Sequence, residues 1–362
     1  RKYPVRVGVR LEDFQSNKGL FPASEDSPYA FSLYETEDIP YAATKYHAET
    51  LSAAFCKRLA PLMPVPDHGR LVRLRKFVRK WLRRWLVPLP CFSEGMMDEL
   101  FYKWVNEPGK YNLQRRTQLI EAWESLKLWP LHERDYKCKS FSKTEFYPEY
   151  KLPRFINSRT DRCKVRFSFF IHLIEEAVFH GEWQNWFVKG RNVTEQPSLI
   201  LRMKDYPWLM ESDYTSFESG FSPEYVDCVE CELWRYMLRD NSGLLQDVLR
   251  VYYQGSGNNL HPRVEKIRGR YYRAEVMGSR MSGEMWTSLA NGFSNLMNTL
   301  FLAEEKGVKV CGVVEGDDGL FGFDRPLIQK EDYESLGFKI ELKYTHSIDD
   351  TQFCGNFFNQ DV

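Results

Sequence analysis

Residues 308–323 read VKVCGVVEGDDGLFGF and constrain the fold of this chain more than any other stretch. Apolar residues crowd both flanks, and an acidic segment bounded by glycines separates them. Such runs favour strands, and a glycine-flanked polar pair favours a tight reversal. The pattern predicts two apolar strands joined by a turn that carries Asp317 and Asp318.

The elements leading to this hairpin are also legible. Residues 208–214, WLMESDY, suit a short strand ending near Asp213. Ser222, Pro223 and Glu224 then supply an N-cap, a proline at the first helical position and an acid in the first turn. Val226, Val229, Leu233 and Met237 form the expected buried stripe of that helix. A second helix is expected from about Glu284 to Lys306, with Gly307 as its closing residue. The order strand, helix, helix, hairpin gives an α+β fold.

The first half has a different texture. Residues 70–84 read RLVRLRKFVRKWLRR, with Leu71, Leu74, Phe77, Val78, Trp81, Leu82 and Trp85 at helical spacing. This predicts a basic amphipathic helix that stops near Pro88. Its cations could form an ordinary solvated face, or meet RNA phosphates or an anionic membrane. A mostly helical stretch follows to about residue 130. Residues 143–166, KTEFYPEYKLPRFINSRTDRCKVR, suggest extended segments and turns studded with basic groups.

Composition removes several classes of function. Lys plus Arg and Asp plus Glu each total 50, so the charge asymmetry is local rather than global. A 43% hydrophobic share excludes a disordered chain. No apolar run approaches the ~20 residues of a membrane span. The eight cysteines are too dispersed for a disulfide scaffold, and Cys228 with Cys231 lacks a second pair for zinc. Reduced thiols and a cytosolic compartment are expected. The opening Arg-Lys-Tyr-Pro lacks Met and a signal segment, as expected of a piece of a longer polypeptide.

Three polar clusters sit on these elements: Asp213 with Glu218, Ser282-Gly283 ahead of Thr287 and Asn291, and Asp317 with Asp318. Singly, each has a conformational explanation as a turn or cap. Together they suggest nucleotidyl transfer by two metal ions, since magnesium takes carboxylate oxygens plus substrate phosphates. A metal pair clamps the attacking and leaving oxygens of an in-line displacement.

In this order the clusters resemble the RNA-dependent RNA polymerases of positive-strand RNA viruses, in particular the tombusvirus-like and nodavirus-like group. SDYTSFES at 212–219 resembles motif A, RMSGEMWTSLAN at 280–291 motif B, and EGDDG at 315–319 motif C. LGFKIELK at 336–343 is similar to motif D, and Phe353-Cys354-Gly355 to motif E. KTEFYPEYKLPRFINSR at 143–159 resembles the basic motif F that lines the nucleotide channel.

The resemblance implies a right-hand polymerase with fingers and a palm, the palm being an antiparallel sheet packed on helices. It implies an N-terminal extension and fingers over 1–200. The palm would span 201–362, with a finger insertion at about 239–280 and the thumb largely absent. Asp213, Asp317 and Asp318 would hold two Mg²⁺ ions, for which Mn²⁺ can substitute, and Asp213 and Asp317 would converge. Lys151, Arg154 and Arg159 would neutralise the incoming triphosphate. Lys343, or Lys339, would protonate the leaving pyrophosphate. Glu218, Ser282, Gly283, Thr287 and Asn291 would read the ribose. Expected partners are an RNA template and nascent strand, NTPs, and membrane-associated viral replication proteins in the host cytoplasm.

The chain departs from the group's pattern at Glu218, Trp286 and Ala290, where Asp, Asn and Gly are usual. A reverse transcriptase also pairs aspartates on a palm, but lacks Ser-Gly-x3-Thr-x3-Asn. A non-catalytic RNA- or membrane-binding fragment driven by the basic helix is the reading from another class.

Overall fold

The computed structural model describes residues 5–9, 42–43, 48–143, 146–147, 152–181, 184–192, 194–255, 259–269 and 272–358. The chain passes through β1 (Val5–Val9), α1 (Ala48–Leu59), α2 (His68–Trp85), α3 (Glu94–Val105) and α4 (Leu113–Leu128). It continues with β2 (Cys138–Lys143), β3 (Arg154–Ser158), α5 (Asp161–His180), β4 (Trp208–Thr215), α6 (Pro223–Cys228) and α7 (Glu230–Met237). Then come β5 (Val264–Arg268), β6 (Tyr272–Met277), α8 (Thr287–Lys306), β7 (Val310–Glu315) and β8 (Asp318–Phe323). The last elements are α9 (Lys330–Glu334), β9 (Lys339–Thr345), β10 (Gln352–Phe353) and β11 (Asn356–Phe357).

Two larger sheets organise these elements. One has the order β1-β6-β5-β2-β3, so strands from both halves of the sequence share it. The other is antiparallel throughout, in the order β7-β8-β4-β9. Helix α8 packs on the second sheet, and Leu289, Phe293, Leu296 and Met297 on it are fully buried. The expected α+β class and the antiparallel sheet backed by helices are both present.

The hairpin at 308–323 forms as expected, with one refinement. Its two-residue loop is Gly316-Asp317, because Glu315 pairs with Asp318. Gly316 has φ 60°, the positive value that this kind of hairpin turn needs at its first central position. Asp317 therefore lies in the loop, while Asp318 already belongs to a strand.

Local signals decide other boundaries. Ser222 caps α6 by accepting from the Tyr225 N–H. The single helix expected there breaks at Val229, yet Val226, Val229, Leu233 and Met237 all stay buried. Gly307 closes α8 at φ 62°. That helix starts at Thr287 rather than Glu284, because the residues before it form turns. Within 143–166 the extended reading holds for β3 but fails from Asp161 on. Thr160 caps α5 there, and the apolar Val165, Phe169 and Phe170 carry the helix into the core.

The basic helix α2 buries Leu71, Leu74, Val78, Trp81 and Leu82. Arg70, Arg73, Arg75, Arg79 and Lys80 are engaged by acids of the protein, whereas Lys76, Arg83 and Arg84 are exposed. Arg70 pairs with Glu305 and Asp332, Arg73 with Glu305, and Lys80 with Glu304. On the other flank Arg75 pairs with Asp227, and Arg79 meets Glu232 at 2.7 Å. The helix is an internal clasp across α6, α7, α8 and α9. Among the described residues no helix is long and apolar enough to cross a membrane.

Candidate active site

Strand β4 carries the first acid. Gly319 of β8 lies opposite Ser212, so the next step of that antiparallel register sets Asp318 opposite Asp213. On the other side of β4, Glu341 of β9 lies opposite Asp213 and Lys343 opposite Glu211. Side chains alternate across a strand, so Glu211 and Asp213 share one face. Glu211, Asp213, Asp318, Glu341, Lys343 and Cys354 line an open cleft of about 530 Å³. Asp318 rather than Asp317 is therefore the cross-strand neighbour of Asp213. Glu341, which the sequence analysis passed over, adds another carboxylate to the cleft.

Asp317 projects from the loop beside them. The residue is exposed at the tip of the hairpin, and partial desolvation by the surrounding protein pushes its pKa up to about 6. The Glu218 and Asp318 charges push in the same direction, and Arg154 opposes them. Burial also raises Asp318, as does the charge of Asp213, while a hydrogen bond from Cys354 lowers it. Cys354 and Gly355 both take positive φ and form the two-residue turn between β10 and β11. Burial and the Asp318 carboxylate push the Cys354 thiol up to about 12, so it is a neutral donor.

A second cavity of about 180 Å³ adjoins this centre, lined by Arg58, Lys143, Arg154, Glu218, Arg280 and Ser282 among others. The left-handed Ser216 turns the chain out of β4 into the short helical turn that carries Glu218. The end of α1 braces that turn, for Ser216 and Ser219 donate to the Lys57 and Arg58 carbonyls. Ser282 donates to the Phe155 carbonyl at 2.8 Å. The Gly283 N–H donates to the Asn157 carbonyl at 3.1 Å. A Cβ on Gly283 would come within 2.7 Å of that oxygen, so only glycine allows the approach.

The remaining expected residues divide. Thr287 opens α8, and its hydroxyl donates back to the Glu284 carbonyl at 2.9 Å. Asn291 is buried and accepts from Arg280 Nε at 3.1 Å. Lys343 Nζ is engaged by Glu211 at 3.0 Å and by the Asp350 carbonyl at 2.9 Å. Lys339 lies opposite Thr215, two pairs from Glu341 on the same strand. Lys151 falls outside the described residues.

Arg159 departs from its expected role. Its guanidinium is turned inward, bonding Glu265 at 2.8 Å and Glu284 at 2.7 Å. The Tyr136 carbonyl also accepts from it, and its side chain is only 5% exposed. An arginine buried between two acids is not placed to neutralise a triphosphate. Trp286, where the sequence departs from the group, is a core residue packed on Phe167 and Trp234.

Asn295 is a further residue that the sequence analysis missed. It is fully buried on α8, and its amide donates to the carbonyls of Gly316, Asp317 and Asp318. The signal was present: Thr287, Asn291 and Asn295 are successive four-residue steps along one helix face.

A family model described as "Viral RNA-dependent RNA polymerase" matches residues 182–361, the segment containing all of these acids and α8. Residues 182–361 belong to the viral RNA-dependent RNA polymerases. It is 25% identical over 279 residues to the RNA-directed RNA polymerase of Atlantic halibut nervous necrosis virus, covering 75% of this chain and 26% of that protein. It is 24% identical over 267 residues to the RNA-directed RNA polymerase of Groundnut rosette virus (strain MC1), covering 67% of this chain and 30% of that protein. The chain thus spans less than a third of the length of either relative.

Proposed function

We propose that this chain forms the nucleotidyl-transfer centre of an RNA polymerase that copies a viral RNA genome. It would add nucleotides from NTPs to an RNA 3′-OH. The observation that carries the reading is the Asp213–Asp318 juxtaposition in one open cleft, with Asp317 next along the chain at the tip of the hairpin. In this reading the β7-β8-β4-β9 sheet with α8 is the palm. The β1-β6-β5-β2-β3 sheet belongs to the fingers, and β10 with β11 forms motif E.

The donor set suits a divalent cation of the magnesium type. Its groups are carboxylate oxygens, and Asp317 and Asp318 are both held above the usual range partly by neighbouring negative charge. A cation relieves that repulsion. Among the described residues no three His, Cys, Asp or Glu side chains form a ready cage. Magnesium asks for less, since waters and substrate phosphates complete its shell. Asp213, Asp317 and Asp318 would hold the ions, which stabilise charge on the attacking and leaving oxygens.

The chain's own residues take the other roles. Arg154, with Arg58 and Lys143 on the same cavity wall, would receive the triphosphate. Glu218, Ser282 and Asn291 would face the ribose. Lys343 would supply the proton to pyrophosphate after leaving its Glu211 contact. An RNA- or membrane-binding fragment driven by α2 is less favoured, because the acids of α6 to α9 already engage much of its basic face. The site of action would be the host cytoplasm, with membrane-associated replication proteins as partners.

Primer extension on a self-annealing RNA with Mg²⁺ and NTPs tests the reading. Incorporation by the parent and none by Asp317→Asn supports it. RNA binding without incorporation, in either Mg²⁺ or Mn²⁺, overturns it.

A further inference from the structure

The two groups proposed to read the ribose, Glu218 and Asn291, lie on different elements, and Arg280 connects them. Its backbone N–H donates to the Glu218 carbonyl at 2.8 Å, and the neighbouring Ser279 hydroxyl donates to the same oxygen at 3.2 Å. Its Nε donates to Asn291 Oδ1 at 3.1 Å. The rest of the guanidinium is fixed as well. It pairs with the fully buried Glu230, lies 3.7 Å from Glu284, and covers the Phe221 ring at 4.3 Å. With a side chain only 1% exposed, Arg280 cannot exchange these partners for water.

We propose that Arg280 is a positioning residue for ribose recognition, holding the Glu218 turn and the Asn291 amide in one fixed relation. The chemistry is directional. Guanidinium only donates, so the amide atom facing it must be the oxygen. That leaves the Asn291 Nδ2 donors for another acceptor, and a ribose 2′-OH is one. The same arginine lines the cavity that Glu218, Ser282 and Arg154 share. Its charge is retained there: burial lowers its pKa only to about 10, with Glu284 and Glu218 opposing the fall. The groups facing it are Glu218, Glu230, Glu284, Tyr225 and Asn291, and it shares Glu284 with Arg159.

This inference rests on the polymerase reading, and the test separates the two. Arg280→Lys keeps a cation beside Glu230 but has no Nε to give Asn291. Two quantities are compared with the parent: the ratio of kcat/KM for ribonucleoside and deoxyribonucleoside triphosphates, and competition by each against a fluorescent ribonucleotide. The ratio should fall about tenfold, the effect of about 1.4 kcal/mol. Arg280→Lys combined with Asn291→Ala should fall no further than Asn291→Ala alone, because the arginine acts through the amide. Unchanged discrimination in Arg280→Lys, or additive losses in the double variant, would overturn the inference while the polymerase reading stands. A parent that binds no ribonucleotide and incorporates none removes both. Should Arg280→Lys fail to fold, the neutral pair Arg280→Gln with Glu230→Gln removes both buried charges and carries the same expectations.

Discussion

The side-chain amide of Asn295 donates to the Asp317 carbonyl at 3.0 Å and to the Asp318 carbonyl at 3.1 Å. Its oxygen accepts from the Tyr214 hydroxyl at 3.4 Å, in the strand that bears Asp213. One buried side chain therefore sets the acidic turn against the neighbouring strand. Asn295→Ala removes a donor from these part-buried carbonyls and an acceptor from the buried Tyr214 hydroxyl, at about 1–3 kcal/mol by denaturant unfolding. Nucleotide incorporation should fall more than RNA affinity. A variant as stable and active as the parent would show that the clamp contributes nothing.

Replacing the central carboxylates tests the chemistry itself. Asp213→Asn and Asp317→Asn should each lower incorporation by at least about 10²-fold, as expected when preorganised transition-state electrostatics are lost. RNA binding, measured by filter retention, should stay near the parent value. Appreciable incorporation by either variant would remove that aspartate from the metal site.

Asp317 also gives stability a pH dependence. Its folded pKa of about 6 lies above its ordinary 3.8, so the folded chain holds this proton more tightly. Its contribution is fully present below pH 3.8 and declines as pH rises through about 6. Glu175, pushed up to about 7 by burial, adds a fall of the same sign slightly higher. Thermal unfolding across this range without divalent ions, for parent and Asp317→Asn, isolates the Asp317 part. The variant should show the shallower fall. Mg²⁺ at neutral pH should raise the parent's midpoint more than the variant's, since bound ligand stabilises only the folded form.

Arg154 and Arg159 should behave differently although they lie on one basic segment. Arg154→Ala should raise the nucleotide KM with little change in unfolding. Arg159→Ala strands Glu265 in the interior, leaves Glu284 only the more distant Arg280, and should destabilise by about 3–5 kcal/mol. Equal stability of the two variants would contradict the buried ion-pair assignment.

Lys343 can be tested through turnover alone. As general acid, its loss in Lys343→Met should lower kcat by about 10²–10⁴-fold with KM little changed. Its exposed pair with Glu211 is worth at most about 1 kcal/mol, so folding should be nearly unaffected. If Lys339→Met gives the larger loss in kcat, the role belongs to Lys339.

The sequence by itself determined whatever depends on neighbours along the chain. The Ser222 cap, the Gly307 stop, the apolar arms around Gly316-Asp317 and the apolar stripe of α2 are local patterns, and each formed close to where it was read. The acids, the Ser-Gly step and Asn291 were legible in another way, through the order of the polymerase-like motifs that contain them, since each taken singly reads as an ordinary turn or cap. Tertiary structure alone decided which distant charges meet. Arg159 and Arg154 look alike in sequence, yet one closes a buried pair with Glu265 and Glu284 while the other lines an open cavity. Arg70, Arg73, Arg75, Arg79 and Lys80 of α2 found acids more than 150 positions away, and Arg280 became the link between Glu218 and Asn291. Periodicity reports which face of an element is apolar, whereas an ion pair or hydrogen bond depends on the position and direction of a partner that only chain packing supplies.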